Sequence, residues 1–511
     1  MSLPPEDRPD WRRPEYDALA PKRQRSRDLV AGTDAVQAAG QTYLPKWRGE
    51  DGEDYAVRQT LTEVFGAYPR TVTASVGMVF ATPPAVGVDE SGEQTQLPAP
   101  LAEFLDDVDG RGSVMPVFAR QLFDDAIIDG LAGILTDYQT VADPGAVSIA
   151  ETKRQGLRPS WIPVRASQVI NWRVEAVGGK PTLTLLVLAE EATVPKGSFG
   201  LGTVCRYRVF RREMSGAITW QLYTKTGTGD QATFALEAFG TITGPQRIPF
   251  SPCVTGRESA AFVAAPPLDD LAVLSVGHYR VAADRRYLMH ICHAPVFTVS
   301  GEPQAYDGAN NPIRRQWKLG PNSVLEFASP DAKAAWVQAD PNALTSSKEE
   351  KEEIKREMAA LGMAFLSQDR GSARETAEGR RLDGAAEHAT LATAARALQD
   401  CLENALADAC AFLGVADVPG VRVTTSYDEG TLDAPTILAL NALAKDGNIT
   451  QRRLLEVLKT GRILPSDVNV DDELAELEAD AAAKQQQAID MANATAESRA
   501  QQLANQPPKA A

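Results

Sequence analysis

The sequence predicts an α+β fold, and three observations predict it. Helical periodicity dominates residues 15–130, runs of strand character joined at glycines follow over 160–254, and two long amphipathic stretches bracket a short β-rich insert between 267 and 368. At 511 residues the chain exceeds one ordinary core, and length alone predicts two or more domains.

Residues 1–50 read as a polar, Pro-interrupted arm with one helix over 15–38. Its basic cluster, Lys22, Arg23, Arg25 and Arg27, is a candidate nucleic-acid contact, although a run this short is usually a solvated face. Residues 53–84 predict two amphipathic helices divided at Pro69 and closed by Pro83 and Pro84. An acidic loop follows to about 100, then a loop at DVDGRGS, a helix at VMPVFARQLFDDAIIDG and a strand at LAGILTDY. A mobile stretch is expected over 142–158. Beyond it, SWIPVRASQVINWRVEAV and KPTLTLLVLAE form a hairpin turned at Gly178 and Gly179. A second hairpin, TVCRYRVFRRE with AITWQLYTK, turns near Gly216, and RIPFSPCV adds one more strand.

The stretch LDDLAVLSVGHYRVAADRRYLMHIC is one helix of roughly 36 Å, with Asp269 and Asp270 suited to the positive end of its dipole. Leu271, Tyr279, Ala282, Ala283, Leu288 and Ile291 follow helical spacing, a stripe that requires a partner. A second helix is expected to open at 345–347, where Ser346 with Glu349 or Ser347 with Glu350 offers a capping box, and to pair Glu352 with Arg356. Between the two, PVFTVSG, RQWKL and SVLEFAS predict short strands. A long Ala-rich helix follows over 376–413, with Leu398, Leu402 and Leu406 on one face and Gly414 as its stop. An extended piece, two shorter helices and an acidic Ala- and Gln-rich tail from 471 that frays into disorder complete the chain.

Charge and motifs exclude several functions. The formal charge is −16, from 52 basic and 68 acidic residues, so a basic surface binding nucleic acid non-specifically is not expected. Five scattered cysteines fit a reducing compartment and small buried side chains. No signal peptide and no membrane-spanning run is read, which predicts a soluble, intracellular protein with no membrane partner. No phosphate loop, nucleophile elbow or H-E-x-x-H occurs, and GSFGLG and GTG sit between strands as turns. His290, Cys292 and His293 point to different helix faces, which argues against a metal site. Acidic pairs such as Asp106-Asp107 and Asp124-Asp125 read as surface charge. No catalytic, cofactor-binding or metal-binding residue is assigned, and the chain is not expected to be an enzyme.

Taken together, VDGRGSVMPVFARQL, SWIPVRASQVINWRVE, GGKPTLTLLVL, RIPF, PPLDDLAVLSVGHYRVAADRRYLMHICHAPVFTVSG and ETAEGRRLDGAAEHATL resemble the portal proteins of tailed bacteriophages. The resemblance is to a branch catalogued as a domain of unknown function, and it covers roughly residues 50–460. It implies an α+β wing over 51–266 behind the arm, a first stem helix over 267–291, a clip over 292–343 and a second stem helix over 344–366. A tunnel loop over 367–378, a long wing helix over 379–414, a crown over 415–470 and the tail over 471–511 complete the expected organisation.

The function the resemblance implies is a dodecameric ring at the head–tail junction of the virion, assembled in the host cytoplasm. Double-stranded DNA passes through it non-specifically during packaging and ejection. Its implied partners are further copies of itself, the major capsid protein, a head–tail adaptor and the large terminase subunit, with no cofactor. Gln368, Asp369, Arg370, Ser372 and Arg374 on the loop and Lys348, Lys351 and Lys355 on the second stem helix become candidate DNA-channel residues. Arg314, Arg315, Trp317 and Lys318 become candidate clip or adaptor contacts, although Trp317 serves equally as clip core. Ring formation would concentrate about −190 formal charges, a field that keeps moving DNA from adhering. A virion or tail component without a channel, or an intracellular enzyme with a cryptic site in the β-rich half, are the rival readings.

Overall fold

The computed structural model describes residues 4–87, 96–138, 158–227, 229–293, 296–301, 305–306, 312–313, 327, 329–337, 342–359, 361, 377–425, 434–460, 463–464 and 468–504. It is a mixed α and β chain in which every strand pairing is antiparallel, and it divides into two compact units, Met1–Ser426 and Tyr427–Ala511.

The first unit opens with helices α1 (Pro14–Ala31), α2 (Thr33–Ala38), α3 (Gly52–Thr60) and α4 (Ala67–Val79). Strand β1 (Ala85–Val86), helices α5 (Ala99–Asp106) and α6 (Met115–Asp129) and strands β2 (Leu131–Tyr138) and β3 (Pro159–Arg165) follow. The helix expected over 15–38 is thus broken at Gly32, whose φ of 94° no ordinary helical residue adopts. Pro69 does not divide the next pair: the break lies at 61–66, and Pro69 falls in the first turn of α4, where a missing N–H costs nothing.

The basic cluster on α1 is not a solvated face. Arg23 is buried and donates to the carbonyls of Asp129 and Ala264, both at 3.2 Å. Arg27 pairs with Asp125 at 2.6 Å and Asp129 at 2.7 Å, and Lys22 and Arg25 both pair with Asp269. Asp125 also accepts from Arg165 at 3.2 Å, so this acidic residue is tied into the fold rather than loose on the surface.

Strands β4 (Val169–Val177), β5 (Lys180–Lys196), β6 (Gly200–Arg212), β7 (Ile218–Thr226) and β8 (Thr233–Ile242) form a five-stranded meander in sequence order. The β4–β5 turn is Gly178-Gly179 with φ of 59° and 80°, the positive pair that a two-residue hairpin turn requires. Gly197 and Gly216 turn the next two connections, with φ of 73° and 87°. Strand β9 (Phe250–Val254) completes a separate sheet in the order β3-β2-β9. One core joins the two sheets, with Trp172, Leu186, Leu188, Phe210 and Ile218 packed together with Leu131, Leu135 and Phe250. Phe262 also enters this core, from the turn of the short hairpin of β10 (Glu258–Ala260) and β11 (Val263–Ala264).

The main chain makes one very close crossing here. Gly130, with φ of 81°, ends α6, and a Cβ built on it would lie 2.4 Å from the Ala265 carbonyl oxygen. A Cβ on Gly256 would lie 1.9 Å from the same oxygen, and the Thr255 and Gly256 N–H groups both donate to Gly130 at 3.1 Å. Three backbones meet where only glycine fits.

From this crossing emerges α7 (Asp269–His293), followed by β12 (Val296–Ser300), β13 (Ala305–Tyr306), β14 (Pro312–Ile313), β15 (Lys333–Val337) and α8 (Asn342–Met358). The strand at 333–337 was not expected, yet it is the partner of β12, with Phe297 opposite Trp336 and their rings 5.2 Å apart. The RQWKL and SVLEFAS stretches lie outside the described residues apart from Phe327 and Ser329. Helix α8 starts at Asn342, so Ser346 and Ser347 lie inside it rather than capping it; the preference of serine for a cap is a weak prior that flanking helix formers override.

Helix α9 (Ala377–Leu413) lays Ala395, Leu398, Cys401, Leu402, Ala405 and Leu406 fully buried against the three-stranded sheet. Thr136 Oγ1 and Trp161 Nε1 each donate to the Ala405 carbonyl at 3.4 Å. Arg247 grips Asp408 at 2.9 Å and 3.0 Å. Burial pushes the Asp408 carboxyl up to about 6, and Arg247 opposes that rise. Gly414, at φ of 69°, terminates the helix. Strand β16 (Val421–Arg422) then pairs with β1. Cys253, Cys401 and Cys410 are buried as expected of small hydrophobes, whereas Cys205 is exposed.

The second unit contains α10 (Ala434–Lys445), α11 (Gln451–Thr460) and α12 (Val470–Ala504), the last helical to residue 504. Among the described residues no helix is long and apolar enough to cross a membrane.

Arg58 illustrates how much of this framework rests on buried charge. It is 1% exposed, pairs with Glu50 at 2.8 Å and Asp284 at 3.1 Å, donates to the Pro45 carbonyl and lies 4.0 Å from the Trp47 ring centre. Arg58→Ala leaves the buried Glu50 carboxylate with no cation and only the Trp47 N–H donating to it, and is expected to cost about 3–5 kcal/mol. Chemical denaturation measures this; a loss below about 1 kcal/mol would mean that Glu50 finds water.

Candidate functional site

The candidate region is built by α7 and α8, which run antiparallel. Ser275 Oγ contacts Met358 Sδ at 3.7 Å near one end of the pair, and the β12–β15 strands join the other. Leu271, Ala272, Ser275, Val276, His278, Tyr279, Ala282 and Ala283 are the buried face of α7. This agrees with the stripe at Leu271, Tyr279, Ala282 and Ala283 and extends it through a polar member, His278. Near the root, Asp270, Val273, Leu274, Glu357 and Leu361 line a shallow, mainly apolar hollow.

Of the predicted channel residues, Lys348, Lys351 and Lys355 lie on α8, three and seven residues apart on one side. Lys348 is exposed, while Lys351 and Lys355 are half-buried toward α7. Glu352 pairs with Lys355 at 3.1 Å. The Lys355 ammonium also lies 5.5 Å from the Phe65 ring centre. Gln368, Asp369, Arg370, Ser372 and Arg374 lie outside the described residues, as do Arg314, Arg315, Trp317 and Lys318. Residues 290–293 are helical, but their side chains are outside the description. Among the described residues no group of three or more His, Cys, Asp or Glu side chains is arranged to hold a metal ion.

Sequence reasoning missed the α7 half of this cluster. Arg285 stands seven residues beyond His278, two helical turns along the same side, with Arg286 beside it. Arg286 pairs with Glu63 at 3.1 Å and donates to the Leu61 carbonyl. His278 is 2% exposed, packs 5.2 Å from Phe65, and neither of its ring nitrogens has a hydrogen-bond partner among the described residues. Burial first, and then the Lys351 and Lys355 charges, push the imidazole down to about 4. Lys351 is lowered too, by burial and by Lys355, Arg285 and Arg286. The signal in the sequence was the coincidence of two basic stripes, 278/285 on one helix and 348/351/355 on the other.

The histidine makes the helix pair sensitive to acid. Its value falls from an ordinary 6.5 to about 4 on folding, so its contribution is complete above pH 6.5 and is lost as pH falls toward 4. Wild type is expected to lose about 3 kcal/mol more than His278→Leu between pH 7 and pH 4, read from denaturation midpoints. Parallel pH profiles for the two proteins would exclude a buried neutral imidazole.

Comparison with curated proteins finds no match to this chain. A family model described as a domain of unknown function (DUF4055) matches residues 267–413, the segment that runs from the root of α7 through α8 to the end of α9.

Proposed function

We propose that this chain is the portal protein of a tailed bacteriophage. It forms a ring of about twelve copies at the capsid vertex, gives passage to double-stranded DNA, and docks the large terminase subunit, the major capsid protein and a head–tail adaptor. The observation that carries the reading is the antiparallel α7–α8 pair, rooted at one end in the α+β region and bridged at the other by β12 and β15, then followed by a long helix lying on a sheet. That is the order of stem, clip, stem and wing helix in the family this sequence resembles. The domain match over 267–413 falls on the same segment.

The work of such a ring is mechanical. Each phosphate neutralised by a basic side chain releases counterions and adds affinity, which slows a moving duplex. A chain of net charge −16 supplies the opposite field. Arg370 and Arg374, in the stretch between α8 and α9 that lies outside the described residues, are the basic groups proposed to touch DNA there.

Two measurements test the reading. Native mass measurement with negative-stain imaging is expected to give a particle near twelve times 54.9 kDa with an axial hole wide enough for duplex DNA. A monomer at every salt and protein concentration would overturn it. Deleting residues 369–373 is expected to leave the ring intact and to impair packaging or retention of the genome. Normal DNA-filled heads from that deletion would remove the loop from the channel.

A further inference from the structure

Helix α8 carries opposite charges on two separate sides. Lys348, Lys351 and Lys355 occupy one, and Glu349, Glu353 and Glu357, all exposed, form a stripe spaced four residues apart on another. At 3.6 residues per turn, Glu353 lies about 200° around the helix from Lys351, so a straight helix cannot let the two sets meet within one copy. The basic side is compounded by Arg285 and Arg286 of α7. Beside it, polar groups remain unsatisfied: both nitrogens of the buried, neutral His278 and the buried Nε of Arg285 lack hydrogen-bond partners among the described residues. Four cationic side chains are thereby held close at the α7–α8 seam, with Glu352 and Glu63 as the carboxylates paired to them. Gathering like charges this way destabilises a lone helix pair and favours an incoming anionic surface.

We propose that the Glu349, Glu353 and Glu357 stripe of one copy docks against the Arg285, Arg286, Lys351 and Lys355 cluster of the next copy. This inference rests on the ring reading above and specifies the contact that would close the ring. The pairing is heterologous, one face meeting a different face, which is the kind of contact that propagates head to tail until a rotation closes. Each copy presents an acidic face on α8 and a basic face shared by α8 and α7. The lowered Lys351 value agrees with a site whose compensating charge comes from outside the copy.

A charge-swap mixing experiment tests it. One variant carries Glu349→Lys, Glu353→Lys and Glu357→Lys; the other carries Arg285→Glu, Arg286→Glu, Lys351→Glu and Lys355→Glu. Each alone brings like charges together at every junction and is expected to be monomeric at a concentration where wild type is a ring. Mixed in equal amounts they present complementary faces at every junction, and rings containing both proteins in equal number are expected by native mass measurement. Recovery on mixing also shows that neither variant is simply misfolded. As a second measurement needing no variant, the wild-type ring is expected to dissociate progressively as salt shortens the Debye length from about 10 Å toward 3 Å.

Rings from both variants separately, or no ring from the mixture while circular dichroism shows both folded, would overturn the proposal and leave the ring reading standing. So would rings of the variant with the reversed Arg285, Arg286, Lys351 and Lys355 cluster that form normally but no longer retain a DNA duplex, which would assign the cluster to phosphate. A wild-type monomer under all conditions would overturn the ring reading and this inference with it.

Discussion

The structure depends on drawing the arginines of α1 largely out of water. Arg23, Arg25, Arg27 and Lys22 reach the last residue of α6 and the first of α7, two helix ends far apart in sequence that the clamp holds together. Asp129 is 2% exposed, and burial first, with the Asp125 charge beside it, drives its carboxyl upward; Arg27 and Arg23 oppose that rise and favour the charged form. Buried charge of this kind is costly to assemble and costlier to break, because removing one partner strands the other. It is a weak source of stability and a strong source of geometry. Here it defines where α7 starts.

That geometry carries through the rest of the first unit. The Gly130–Gly256–Ala265 crossing and the Arg23 bonds lie just before Pro266, so α7 leaves the core from a fixed point. Tyr279, Ala282 and Ala283 are fully covered, as is Met358 on α8, while farther along the pair Arg285, Arg286 and Lys351 are only half-buried. The α7–α8 pair is therefore apolar near its root and charged farther out. On the proposed reading, that gradient separates what holds one copy together from what joins copies.

Much of this was legible. The two glycines at 178 and 179 reach without strain the pair of positive φ values that a two-residue hairpin turn requires, and the Leu398, Leu402 and Leu406 spacing fits a buried helical face. The readings that failed share a cause, which is that a pattern along the chain does not say what lies across from it. Lys333-Ala-Ala-Trp-Val has little strand character of its own and is a strand because β12 offers it a partner. The α1 arginines read as solvated because their carboxylates lie more than 90 residues away. Helical spacing showed that Lys348, Lys351 and Lys355 share a side, but which side faces α7 is decided by Met358 and Phe65.

The glycine crossing also bears on how such a sequence can drift. Arg23 binds main-chain carbonyls, and a carbonyl is present whatever the side chain, so the bond itself does not select alanine at 264, where full burial restricts only the size of the side chain. Gly130 and Gly256 have no such latitude, since even one methyl group at either would overlap the Ala265 carbonyl. Two neighbouring parts of one joint therefore evolve under opposite rules. The Arg23 bond constrains the backbone and leaves the choice of side chain to packing, whereas the closed crossing fixes glycine itself at 130 and 256.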